Sequence, residues 1–115
     1  MTTARLVFNS PLAQRAKAIL RDQNPVFAVS GPGVIWVDGP TMPADLLIHE
    51  NVHQAQWRKY GFIFYPLRYG IEMAVRLAQF KDQRRAYLAH SLERKAYAAQ
   101  NAYRAARGMA PVGVG

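Results

Sequence analysis

The chemistry open to this chain is concentrated in five consecutive residues, His49-Glu50-Asn51-Val52-His53. Side chains four positions apart leave a helix from nearly the same side. Two imidazoles at this spacing can therefore converge on one metal ion at about 2.0–2.1 Å, with the intervening glutamate beside the open coordination position. Glu50 is then the candidate general base for the water that a zinc ion would activate. The same residues also read as polar helix positions that hydrogen-bond to neighbours, and only their surroundings separate the two readings.

A catalytic zinc site takes three protein ligands and keeps one position exchangeable. The chain has 115 residues and no cysteine, which excludes disulfide frameworks, Fe–S clusters and Cys-containing zinc sites. Any zinc must sit on His and carboxylate. There are three His (His49, His53, His90), three Glu (Glu50, Glu72, Glu93) and four Asp near expected turns or element ends. Glu72 follows His53 by a spacing that suits a third ligand, but Arg68 and Arg76 flank it at helical i±4 and also account for it. Glu93 opens the last expected helix, where a carboxylate suits the local dipole. His90 has three readings: oxyanion donor, extra ligand, or polar residue at a helix entry.

Other residues carry similar pairs of readings. Gln56 lies one turn beyond His53 and either supports that ligand or is a solvated helix residue. Tyr97, one turn after Glu93, either orients the carboxylate or donates to a developing oxyanion; packing with Tyr103 is the plainer alternative. Trp57, Tyr60, Phe62, Phe64 and Tyr65 read as core and helix-junction aromatics.

The elements that must position these groups follow from local signals. Asn9-Ser10-Pro11 opens a helix that continues through Leu20 and ends by Asn24-Pro25. Val26–Val29 and Val34–Val37, separated by Ser30-Gly31-Pro32-Gly33, form a β-hairpin. Pro43-Ala44-Asp45 starts the HExxH helix, which runs to about Tyr60 and stops at Gly61. A third helix is expected from about Pro66 to Phe80, then a charged connection or further helical turn over 81–90. Ser91 caps a last helix, Leu92 to Arg107, and residues 108–115 are expected to be a flexible tail. The fold class is α+β and mainly helical: an N-terminal helix, a short hairpin, the active-site helix and two further helices, in a single domain over 1–115.

The run His49-Glu50-Asn51-Val52-His53-Gln54-Ala55-Gln56, continuing as Trp57-Arg58-Lys59-Tyr60-Gly61, resembles very small bacterial and phage proteins of the gluzincin-like zinc metallopeptidase type. In these an HExxHxxQ helix precedes an aromatic, apolar second helix and a segment Asn-Pro-x-Glu-x-Glu-Ala-Tyr. The second block here is His90-Ser91-Leu92-Glu93-Arg94-Lys95-Ala96-Tyr97, so the resemblance spans roughly residues 46–100. It implies a minimal zincin-like domain in which His49, His53 and a downstream glutamate bind zinc and Glu50 is the base. That glutamate is Glu93, because Lys95 replaces the second one of the family segment; His90 and Ser91 stand where Asn-Pro is usual.

The implied activity is peptide-bond hydrolysis on a peptide or protein substrate, the rivals being a non-catalytic zinc-binding accessory protein and a basic binding module. Net charge is +8, with Arg84-Arg85, Arg94-Lys95 and Arg104 to Arg107 as its clusters. Nucleic acid or an anionic surface would be attracted, yet no nucleic-acid motif accompanies these clusters. No secretory signal is evident, so a cytoplasmic setting is expected. The most apolar stretch, Tyr60 to Phe80, is interrupted by Arg68, Glu72 and Arg76 at i, i+4, i+8. It reads as an amphipathic helix whose apolar side packs in the core, with a membrane surface or another protein as the alternative seat, and not as a bilayer span.

Overall fold

The computed structural model describes residues 4–22 and 25–113. In chain order the elements are β1 (Arg5–Val7), α1 (Pro11–Leu20), β2 (Ala28–Gly31), β3 (Val34–Val37), α2 (Ala44–Phe80), α3 (Gln83–Ala89) and α4 (Ser91–Ala106). The mainly helical α+β class expected from the sequence is the class observed.

The hairpin forms as antiparallel β2–β3, with Gly33 in the left-handed region at φ 74° to close its two-residue turn. Trp36 lies across Gly31, where a Cβ would come within 2.6 Å of the indole. A third strand escaped the sequence reading: β1 pairs parallel with β3, Leu6 opposite Ile35, giving the order β1-β3-β2. Ala28, Ile35 and Val37 form the sheet's buried core, covered by Leu46 and Leu47 of α2.

Ser10 caps α1 as expected, its hydroxyl accepting from the Ala13 amide at 3.4 Å, and Arg21 in the left-handed region ends the helix. The expected terminator Asn24 lies outside the described residues.

The break expected at Gly61 is present: its φ of 81° and ψ of 169° are open only to glycine, and they divide α2 into two arms. The second arm resumes at once and does not wait for Pro66; that proline resembled a first helical position but lies inside the arm. The charged connection is α3, capped by Asp82, whose carboxylate accepts from the Arg85 amide at 2.9 Å. His90, not Ser91, caps α4: its Nδ1 accepts from the Leu92 amide at 3.2 Å, and Ser91 is the first helical residue.

Residues 109–113, part of the segment 108–115 expected to be a flexible tail, carry hydrogen bonds to α4: Asn101 exchanges two 2.9 Å hydrogen bonds with the Val112 backbone, and Arg104 donates to the Ala110 carbonyl. One further expectation is overturned. The second arm of α2 is amphipathic in the opposite sense to that expected. Tyr65, Tyr69, Glu72 and Arg76 turn towards the protein, while Phe62, at 74% exposure, and Ile63, Phe64, Leu67, Ile71 and Val75 face outward. The inward polar side chains meet polar partners: Tyr69 and Glu72 reach α4, Tyr65 reaches His53 on the first arm, and Arg76 pairs with Glu72.

Candidate metal centre

His49, Glu50 and His53 arise on the first arm of α2, and all three are buried. Residue 93 is 40 positions beyond His53, yet α4 lays its first turn against α2 and delivers the Glu93 carboxylate to the same point. Oε1 of Glu93 lies 2.8 Å from Nε2 of His53 and 3.3 Å from Nε2 of His49. Among the described residues these three form a group of potential ligand atoms all within 4.8 Å of one another.

Both imidazoles are oriented from behind. Gln56 donates from Nε2 to the Leu92 carbonyl at 3.1 Å, so its Oε1 is the atom 2.9 Å from Nδ1 of His53. Gln100 donates from Nε2 to Asp45 at 2.9 Å, so its Oε1 faces Nδ1 of His49, also at 2.9 Å. An amide oxygen only accepts, hence both Nδ1 atoms carry a proton and both Nε2 atoms face Glu93 and the shared space, donating to its carboxylate when protonated and offering a lone pair to a metal when not. Asp45 is held in turn by Arg104 at 2.9 Å. The arrangement fits a metal on chemical grounds: two imidazole nitrogens and one carboxylate oxygen are a catalytic zinc donor set. Two carboxylates buried together, Glu50 and Glu93, also call for a cation.

Glu50 is only 2% exposed; its Oε1 accepts from the Ser30 hydroxyl at 2.9 Å, and its Oε2 lies 3.7 Å from Nε2 of His49. Burial raises its carboxyl above the usual range, reinforced by the charge of Glu93 and outweighing the imidazoles. Glu93 shifts the other way. Burial pushes it up, but the charge of His53 and hydrogen bonds from both imidazoles hold it well below the ordinary carboxylate range. Burial pulls the His53 imidazole down, yet Glu93 and Glu50 together push it up to about 9. Two neighbouring carboxyls with opposed shifts suit one to proton transfer and the other to permanent charge.

The remaining expected residues fall as follows. Glu72, the alternative third ligand, is not in the group: it accepts from the Ser91 hydroxyl, from the Ser91 amide at 2.7 Å and from Arg76 at 3.4 Å. His90 takes the plainest of its readings. Besides capping α4, it places Nε2 2.9 Å from the Tyr69 carbonyl and stacks on the Tyr69 ring at 4.0 Å. Tyr97 stands edge-on to the His49 ring at 4.4 Å, and Lys95 is exposed, unlike the buried His49, His53 and Glu93.

Sequence reasoning missed Tyr69, Gln100 and Asp45. Tyr69 donates its hydroxyl to Oε2 of Glu93 at 2.7 Å, and Tyr65, read only as a junction aromatic, places its hydroxyl 3.2 Å from Nδ1 of His53. Their i, i+4 spacing on the second arm was the available signal.

Two cavities flank the centre. One of about 240 Å³ is bordered by His49, Glu50, Tyr97 and Met109, the other of about 310 Å³ by Glu50, His53, Trp57 and Tyr69, with Phe27, Ala28 and Tyr87 common to both. None of the described helices is long and apolar enough to cross a membrane. No protein-family model matches this chain, and comparison with curated proteins and with solved structures likewise yields no match.

Proposed function

We propose that His49, His53 and Glu93 hold a zinc ion and that the protein is a metallopeptidase of the gluzincin-like type, hydrolysing peptide bonds with Glu50 as general base. The observation that carries this reading is the convergence of both Nε2 atoms on Oε1 of Glu93 with the buried Glu50 carboxylate alongside. Zinc, when bound, supplies Lewis acidity for activating water and polarising a carbonyl.

The chain's own groups do the rest. Ser30 fixes Oε1 of Glu50, leaving Oε2 to take a proton from the attacking water. As the water oxygen bonds to the carbonyl carbon and the carbon–nitrogen bond breaks, Glu50 returns that proton to the leaving nitrogen. A carboxyl with raised proton affinity serves both transfers. Tyr97 braces His49 at the wall of one cavity, and the two cavities offer room for substrate on either side of the scissile bond.

The test is metal analysis joined to a peptide-library cleavage assay. Purified protein is expected to carry one zinc and to cleave; Glu50→Gln is expected to keep zinc and lose turnover by at least about a hundredfold. Zinc retained without cleavage in the unmodified protein would transfer the reading to a zinc-binding accessory role. Equal zinc content in His49→Ala, His53→Ala and the unmodified protein would end both.

A further inference from the structure

The outward half of the second arm of α2 is a ridge about 24 Å long at 1.5 Å per residue. From Phe62 to Ala78 it presents Ile63, Leu67, Ile71, Ala74 and Ala78 along its centre, with Phe64 and Val75 beside them. Exposed Arg68 and Gln79 border this half, beside Phe64 and Val75. Ile63, Phe64, Leu67 and Ile71 are each more than half exposed. Surface that apolar and continuous marks an interaction site.

Charge at its two ends identifies the occupant. At the kink, Tyr60 gathers Lys59 and Arg68 at 5.3 and 5.4 Å from its ring. At the far end, Lys81 terminates the helix and Arg85 sits over Phe80 at 5.1 Å. Between Arg58 and Arg85 the sequence has seven cationic residues, of which Arg76 pairs with Glu72 and Arg84 with Asp22, against two carboxylates, Glu72 and Asp82. Both acids are engaged within the protein, Glu72 by Ser91 and Arg76, Asp82 by Arg21 and the Arg85 amide. An apolar ridge with cations at both ends matches hydrocarbon edged by phosphate. Two copies laid ridge to ridge would bring these cations together.

We propose that this ridge seats the protein on an anionic membrane surface, with the second arm of α2 lying in the plane of the headgroups. The helix rests on the bilayer and does not span it, because the opposite side of the same arm is committed to Glu93, His53 and Ser91. Seating there holds the metal centre about one helix diameter, roughly 10 Å, from the surface. The proposal is independent of zinc and of catalysis.

Co-sedimentation of the full chain with phosphatidylcholine vesicles, with and without phosphatidylserine, tests it. The protein is expected to partition at least about tenfold more strongly onto the phosphatidylserine vesicles, and less strongly as salt rises. Ile63→Gln/Leu67→Gln/Ile71→Gln is expected to lower that partition at least about tenfold while circular dichroism and the melting midpoint stay as in the unmodified protein. Lys59→Glu/Arg68→Glu is expected to lower it similarly. Equal binding to both vesicle types, no binding to either, or full binding by the triple variant would overturn the proposal. A dimer in sedimentation equilibrium that the triple variant dissolves would overturn it in favour of a second copy.

Discussion

Tyr69 donates its hydroxyl to Oε2 of Glu93 at 2.7 Å, which divides the two oxygens of that carboxylate between two tasks. Oε1 faces both imidazoles; Oε2 is held by α2. Burial, with the charge of Glu93 and the hydrogen bond itself, raises the phenol's pKa well above its usual value, so it stays a donor. Tyr69→Phe is expected to lower zinc affinity by about tenfold, measured by chelator competition, because an unanchored carboxylate must be ordered when metal binds.

Glu93 and Glu72 are predicted to separate cleanly. Glu93→Ala should abolish stoichiometric zinc in metal analysis after dialysis. Glu72→Gln should leave zinc in place yet lower unfolding stability by about 1–3 kcal/mol in denaturant titrations, since it loses charge-assisted bonds to Ser91 and Arg76.

Gln100 is not one of the three proposed ligands, but it determines that Nδ1 of His49 bears a proton. Gln100→Leu should reduce zinc affinity about 10- to 100-fold in the same competition assay, the usual consequence of removing the partner behind a histidine ligand.

Asp45 supports Gln100, and its titration gives a pH dependence. Burial pushes its carboxyl up, but hydrogen bonds from Gln100 and Arg104 and the charge of Arg104 outweigh that and hold it below its ordinary 3.8. A carboxylate depressed in the folded state adds stability above its unfolded pKa and loses it as pH falls through the folded value. Melting midpoints followed from neutral pH down through 3.8 should therefore fall more steeply for the unmodified protein than for Asp45→Asn.

Gly61→Ala should cost about 1–3 kcal/mol in denaturant unfolding, although space is open around the site. Its φ of 81° and ψ of 169° are the obstacle, and no repacking relieves them.

What was legible in the sequence was what lies within a turn or two. His49, Glu50 and His53 share one helix, so their convergence follows from the helical repeat alone. Glu93 entered through its resemblance to a family segment, because nothing local specifies which carboxylate crosses 40 residues to reach His53. Gln100 and Asp45 contact each other across 55 positions and were invisible for the same reason. The three residues of β1 are too few to display a strand's alternation. The second arm of α2 misled because Arg68, Glu72 and Arg76 looked like a solvent face; Ser91 and Tyr69 show that the polar edge of this helix was matched to polar partners.

The kink at Gly61 has a metrical consequence. Along a straight helix, Tyr65 and Tyr69 would rise about 18 and 24 Å beyond His53. Instead one phenol reaches Nδ1 of His53 and the other reaches Glu93. The two arms work as tongs closed on a single point, and the second is keyed to it by rotation. Inserting one residue after Gly61 would turn that arm by about 100°, moving its phenols off the point and its oily side towards it. The interval from Gly61 to Tyr69 is thus a fixed gauge between the two arms.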